Sequence, residues 1–162
     1  ISSLIQVEFG TQHRTGLYNA VLKQLMRPVG RLLKGFDLDF AGKCKGLFVA
    51  VLIRRKDKGS LSLDPEASKA AGVRAREIQI SFSHTRPDGR DFSTALSEAG
   101  ASFRASGENI AYGQRSAEQV MDVWMNSAGH RANILNPGYS RIGIGHVKDS
   151  RGVDHWVQLF LN

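Results

Sequence analysis

Apolar residues near the start of the chain recur every three or four positions, which is the spacing of one face of a helix. They are Leu17, Val21, Leu25, Val29, Leu32 and Phe36. Because lysines and arginines fill other positions of this stretch, the pattern predicts a basic amphipathic segment over residues 17–36. Pro28 lies inside it and would remove a backbone hydrogen bond, so we expect two short helices or one kinked helix. Glycines follow, and we place a boundary near residue 45.

A second helical pattern starts at the sequence LDPE. Asp64 is suited to cap a helix and Pro65 to its first position. The residues expected to face inward are Ala71, Ala75, Ile78 and Phe82. This pattern places His84 at or just beyond the end of the helix, before a Pro-Asp-Gly turn.

Two more helices are expected further along the chain. A short one should end at Gly100, and its inward-facing residues are Phe92, Leu96 and Ala99. The other starts at Ser116, with Gln119 at capping-box spacing. Its apolar residues are Val120, Met121 and Trp124.

Strand patterns occupy the rest of the chain. The sequence ENIAYG is a short strand candidate, and RIGIGHVKDSRGVDHWVQLFL predicts two strands joined by a polar turn, a C-terminal antiparallel hairpin. Gly143 and Gly145 leave one face of the first hairpin strand without side chains. Either a ligand approaches that face closely, or a helix packs tightly over it.

The net charge of +7 is unevenly distributed. Residues 1–59 hold 11 Lys/Arg and 4 Asp/Glu, whereas residues 60–162 hold 11 of each. A basic end can attract phosphate, nucleic acid or anionic lipid, but this one lacks interleaved aromatic residues and any nucleic-acid motif, so we favour a solvated basic face over nucleic-acid binding. The segment at 17–36 could also contact a membrane surface.

Other compositional features exclude some classes of protein. The single Cys44 cannot form a disulfide within the chain, so the cysteine count does not identify the compartment. The longest apolar run, GLFVAVLI, is much shorter than the ~20 residues that cross a bilayer.

Three side chains stand out as candidates for chemistry: His84, Glu108 and His130. Ser127 lies three residues before His130, on the same face if that segment is helical. The separations of 24 and 22 residues match no local metal signature, and each histidine alone is adequately explained as a structural hydrogen-bonding residue.

The motifs FSHTRPDG, GENIAYG, VWMNSAGHRANILNPGYSRIGIG and HWVQLF occur in an order and spacing that resemble the bacterial branch of the CAP superfamily. This superfamily, also called the SCP domain, groups cysteine-rich secretory proteins, antigen 5 and pathogenesis-related 1 proteins. The resemblance covers about residues 60–162 and does not include residues 1–45. It implies an α+β fold, the CAP-type three-layer α-β-α sandwich with a small antiparallel sheet, over a domain at 46–162 that follows the basic segment at 1–45.

The resemblance also implies a site. In this family the histidine of SHT, the glutamate of GEN and the histidine of GHR line one central cleft and can hold a divalent metal in some members. Here they are His84, Glu108 and His130, a three-ligand set that would suit zinc and leave a position for water. Many animal and plant members add a second glutamate where this chain has Ser127, which is a poor metal ligand.

A further departure lies at the start of the domain. The family's opening helix usually reads Leu-Val-Asn-x-x-Arg, whereas this chain has VLIRRKDKG, so Arg55 stands in for the arginine and the asparagine is missing.

Two functions are expected from the resemblance. The first is a secreted or cell-surface binding domain whose cleft holds a small apolar molecule, a lipid, a peptide or a partner protein. The alternative is a metal-dependent hydrolase, in which the metal would activate water, although no separate base is evident. In a variant of the second, Ser127 is the nucleophile, His130 its base and Glu108 orients the histidine, but no nucleophile turn surrounds Ser127. Catalytic residues therefore stay unassigned.

Overall fold

The computed structural model describes residues 61–162 together with residues 46, 47, 51, 55 and 59. Its elements are β1 (Ser62–Leu63), α1 (Pro65–Glu77), α2 (Ser93–Glu98), β2 (Ser106–Tyr112), α3 (Ala117–Asn126), α4 (Ala128–Leu135), β3 (Arg141–Lys148) and β4 (Asp154–Leu161). The segment predicted at 17–36 and its kink lie outside the described residues, and the boundary near residue 45 stays a prediction. No helix in the described ranges is both long and apolar enough to cross a membrane.

Four strands form one sheet in the order β1-β3-β4-β2. β3 and β4 form the predicted C-terminal hairpin, and β2 pairs antiparallel with the other side of β4. β1 pairs parallel with β3, so the expectation of a purely antiparallel sheet is wrong for this strand. Because β1 reaches β3 from a distant part of the chain and not through a tight turn, nothing in the connection imposes an antiparallel direction.

Helices cover both faces of the sheet, which confirms the α-β-α sandwich. On one face, α1 and α2 pack on alternate residues of β4. This layer includes Ala67, Ala71, Leu96, Val157 and Leu159. On the other face, α3 and α4 pack on the intervening residues, together with Leu47 and Val51. That core includes Trp124, Ile134, Trp156 and Phe160.

The backbone of α1 lies directly on the two glycines of β3. A Cβ at Gly143 would overlap the carbonyl group of Ala67, and one at Gly145 would overlap that of Ala71. Of the two explanations for these glycines, tight helix packing is therefore the correct one. The small alanines of α1 permit the same close approach from the helix side.

α1 starts as predicted and ends earlier. Asp64 accepts a hydrogen bond from Ala67 N, and Pro65 is the first helical residue. The inward stripe continues to Ile78, but Phe82 lies beyond the helix and is half-exposed, so its placement in the core was wrong. The chain turns after Glu77, and Arg74 Nη2 donates to Ser83 O at 2.6 Å, which attaches the segment that carries His84 to the helix.

The other predicted helices are confirmed. α2 is followed by Gly100 at φ +87°, a conformation that favours glycine. Ser116 caps α3 by accepting from Gln119 N at 3.3 Å. The buried Arg55 donates to the carbonyl oxygen of Ile134 in the last turn of α4 and to those of Asn136 and Tyr139, which follow the helix.

The glycine packing predicts opposite effects of one substitution at two positions. Gly143→Ala forces β3 away from α1 and should lower the free energy of unfolding by about 3 kcal/mol. Gly72→Ala, on α1 with no described atom within 4 Å of the added Cβ, should raise it by roughly 0.5–1 kcal/mol through helix propensity. Urea unfolding of both variants measures this, and equal effects would contradict the packing.

Candidate functional site

Glu108 and His84 are in direct contact. Glu108 lies on β2 with its side chain on the α1 side of the sheet, and its Oε2 is 2.7 Å from His84 Nδ1. The carboxylate is 1% exposed, whereas the imidazole is 57% exposed. The structure therefore places a half-exposed histidine at the surface and fixes one of its ring nitrogens to a buried acid.

Arg74 stabilises the buried carboxylate of Glu108. Its Nε donates to Glu108 Oε1 at 2.8 Å, and its Nη1 donates to Glu77 Oε2 at 2.7 Å. A buried carboxylate without a partner would be strongly unfavourable. Burial disfavours the charge of Arg74, but the hydrogen bonds and charges of Glu108 and Glu77 outweigh that effect and raise the pKa of Arg74.

The ion-pair network continues into the loop that carries His84. Arg86 is largely buried and donates to Glu77 Oε1 through Nη2 at 2.7 Å and to Glu98 Oε2 through Nη1 at 3.0 Å. Phe92 N donates to His84 O at 3.1 Å and closes the base of the loop. The backbone of His84 is therefore held at both ends, by Arg74 on one side and by this loop on the other.

His130 lies in the first turn of α4, and its Nδ1 is 2.9 Å from the Oγ of Ser127, the residue that precedes the helix. Burial lowers the pKa of His130 below its ordinary value of 6.5, and the charge of His84 lowers it further. His84 contacts Glu108, and the His130 carbonyl accepts from the next residue, Asn109, so the two histidines are attached to neighbouring positions of β2. Of the predicted site residues, His84 joins Glu108 directly, and His130 joins Ser127 nearby.

These contacts bear on the nucleophile variant. It requires Glu108 to orient His130, but in the described part of the chain Glu108 bonds to His84 and Arg74. The contact between the proposed nucleophile Ser127 and its proposed base His130 is formed. The contact by which Glu108 would orient His130 is not, because Glu108 binds His84 instead.

An amide network behind the site was not anticipated from the sequence. Asn109 Nδ2 donates to His130 O at 3.2 Å and to Gln158 Oε1 at 3.1 Å. Asn133 Nδ2 donates to Asn109 Oδ1 at 2.9 Å and to Glu108 O at 3.3 Å. This network ties α4 to β2 and β4, and it fixes the positions of Glu108 and His130 relative to each other.

Arg74 was also missed, although the sequence contains a signal for it. Arg74 is three residues after Ala71 and four before Ile78, so it falls on the inward stripe of α1. A charged residue on such a stripe requires a buried partner. The asparagines carry no comparable signal, because their role depends on which strand and helix meet.

The outer edge of β2 is covered by side chains. Asn133 donates to the Glu108 carbonyl, and Trp124 Nε1 donates to the Ile110 carbonyl at 3.3 Å. Since unpaired edge strands invite pairing with other chains, these contacts protect β2.

The three predicted metal ligands, as they stand, do not fit a three-ligand site. Glu108 Oε1 is paired with a cationic guanidinium, and Oε2 is bonded to one of the other proposed ligands. Within the described residues, no three His, Cys, Asp or Glu side chains are arranged to hold a metal ion. The zinc assignment to His84, Glu108 and His130 stays a prediction.

A small sheet between two helix layers, with His84 and His130 beside its edge strand β2, is the architecture that the motifs indicated, apart from the parallel strand β1. The model of the cysteine-rich secretory protein family, CAP, matches residues 26–160, and the chain belongs to this family. The match starts before residue 46, so it includes residues 26–45, which the motif comparison had left out.

Two relatives come from Bacillus subtilis (strain 168). The uncharacterized protein YkwD is 37% identical over 103 residues, which are 62% of this chain and 39% of YkwD. The uncharacterized membrane protein YlbC is 36% identical over 64 residues, which are 40% of this chain and 18% of YlbC. The matched region thus spans less than half of either relative.

Solved structures share the fold. An outer surface protein from Borrelia burgdorferi has a TM-score of 0.68 at 24% identity, covering 75% of this chain and 92% of that one. An extracellular SCP-domain protein from Bacillus anthracis has a TM-score of 0.69 at 26% identity, covering 78% of this chain and 44% of that one.

The proximity of the two imidazoles predicts a coupled titration. His130 should titrate below 6.5, and His84→Asn should raise its pKa because a like charge is removed. An NMR pH titration of the His130 ring measures both values. His130 titrating identically in the two proteins would contradict the proximity.

Proposed function

We propose that this chain is a secreted or cell-surface binding domain that takes an extended peptide segment of a partner on the surface formed by His84, Phe82 and Tyr112, which we call the cleft. The observation that carries the proposal is an exposed aromatic pair on the same side of β2 as the His84–Glu108 contact. This arrangement offers a ligand an apolar contact and a polar contact, a combination typical of binding clefts.

The aromatic pair consists of Phe82 and Tyr112. Their ring centroids are 4.8 Å apart at an interplanar angle of 76°, and the two residues are 50% and 55% exposed. Ile80, two residues before Phe82 in the sequence, is 79% exposed. Large side chains grouped at the surface in this way favour an interaction site over chance exposure.

The aromatic pair is supported from below. The Tyr112 ring stacks on the buried His155 ring, with centroids 5.9 Å apart. Tyr112 and His155 also face each other across β2 and β4. Because one side of the Tyr112 ring is packed on a buried residue, the ring offers a fixed surface that costs a ligand little side-chain entropy.

The spacing of the two contacts favours an extended ligand. Glu108 and Tyr112 are four residues apart on one strand, which corresponds to roughly 13 Å. Phe82 is two residues from His84, so the aromatic pair and the imidazole form one continuous surface. About four residues of extended peptide would cover it from His84 to Tyr112 and could use the polar and the apolar contact together. A small apolar ligand or a lipid is the second choice.

The rigid mounting of His84 suits recognition. Its Nδ1 contacts Glu108, so Nε2 is the ring nitrogen available to a ligand. Fixing the imidazole in advance reduces the entropy lost when a ligand hydrogen bonds to it.

The proposed location rests on the relatives. Two proteins with this fold are described as an outer surface protein and as an extracellular protein. By analogy, we place this chain outside the cell or at its surface.

The other roles considered have less support. The metal-dependent hydrolase would need Glu108 free to bind a metal, whereas Arg74 holds it. Membrane-surface contact through residues 17–36 stays a prediction that concerns residues outside the described part, and nucleic-acid binding gains no support.

A phage-displayed library of random linear peptides, selected on the native chain, tests the proposal. Peptides that are enriched should bind Tyr112→Ala and His84→Ala at least about tenfold more weakly, because each substitution removes one of the two contacts. Titration calorimetry with the synthetic peptides measures the affinities.

Val123→Ala is the matched control, since Val123 is a half-exposed apolar residue on α3, away from the cleft. It should leave the affinities within about twofold. The proposal fails if no peptide is enriched above the Tyr112→Ala protein, or if the selected peptides bind all four proteins equally.

A further inference from the structure

We propose that Arg74 prevents a divalent metal ion from binding to Glu108 in the cleft. Its guanidinium takes the place on Glu108 that a metal ion would need, so that Glu108 anchors His84 and does not act as a metal ligand. This inference concerns the same cleft as the proposed function but does not depend on which ligand fills it.

Both oxygens of Glu108 already have donors. Oε1 accepts from Arg74 Nε at 2.8 Å. Oε2 contacts His84 Nδ1 at 2.7 Å and accepts from Arg74 Nη2 at 3.4 Å. A cation that approached either oxygen would meet the positive guanidinium within a buried site, where like charges repel strongly.

The distance between His84 Nδ1 and Glu108 Oε2 is also too short for both atoms to bind the same metal ion. Tetrahedral zinc holds nitrogen and oxygen ligands at about 2.0–2.2 Å, so two ligand atoms of one ion lie roughly 3.4 Å apart. Nδ1 of His84 and Oε2 of Glu108 are 2.7 Å apart. An ion between them would have to break this contact.

Arg74 cannot easily move aside. Its side chain is fully buried, and two other partners hold it, Glu77 Oε2 at 2.7 Å and Ser83 O at 2.6 Å. Glu77 is in turn held by Arg86. Displacing the guanidinium would leave a buried charge without its partners, which is strongly unfavourable.

The chain offers a matched control for removing Arg74. Arg86 is also a buried arginine of the same network, and it pairs with Glu77 and Glu98. Arg86→Gln therefore tests the loss of a buried guanidinium as such, whereas Arg74→Gln also frees an oxygen of Glu108.

Titration calorimetry with zinc chloride at neutral pH measures the effect on the full chain. We expect Arg74→Gln to bind zinc at least about tenfold more tightly than the native chain, and Arg86→Gln to match the native chain. The gain should vanish in Arg74→Gln/Glu108→Gln. Equal affinities of the native chain and folded Arg74→Gln, or equal gains in both single variants, would overturn the proposal.

A measurement on the native chain decides the matter if Arg74→Gln does not fold. The Arg74 Nε–H resonance reports on the bond to Glu108 and can be followed by NMR during the same zinc titration. We expect it to persist at stoichiometric zinc, even if an ion on the exposed Nε2 of His84 changes its chemical shift. Its loss would mean that the ion takes Glu108 from Arg74, and the proposal would be wrong.

Discussion

The buried ion pair between Arg74 and Glu108 is the interaction on which the site depends. It joins α1 to the edge strand β2, and both partners hold the segment that carries His84, since Glu108 binds His84 and Arg74 binds the carbonyl of Ser83. Removing one partner would leave the other as a buried uncompensated charge. The position of His84 is therefore set mainly by hydrogen bonds to buried charged groups, together with one edge contact to the Phe92 ring.

This ion pair requires a short distance between α1 and the sheet. The glycines of β3 permit that distance, because their missing side chains let the carbonyls of Ala67 and Ala71 approach the strand. Arg74 follows Ala71 by about one turn and so reaches β2 from the same helix. On the opposite face, Asn109 and Asn133 fix α4, and with it His130. Two helices held from opposite faces thus meet at one edge strand.

The elements of the domain were largely readable from periodicity and caps. Asp64, Pro65 and Ser116 marked helix starts correctly, and the hairpin followed from alternation around a polar turn. The failures had tertiary causes. Phe82 continued the helical spacing, but the helix ends at Glu77 and Arg74 instead binds the carbonyl of Ser83. β1 pairs in parallel with a strand that is remote in sequence.

The sequence by itself determined the family, the order of most elements and the candidate residues His84, Glu108 and His130, since motifs and short-range periodicity are local properties. Only the tertiary structure decided how those residues are paired. Glu108 could have faced His130, a metal ion or solvent, and the choice of His84 and Arg74 depends on strand order and on the distance between α1 and the sheet. His84 and Arg74 are 24 and 34 positions from Glu108 in the sequence. They reach it only because whole helices and strands pack together, and a local sequence pattern does not predict that packing.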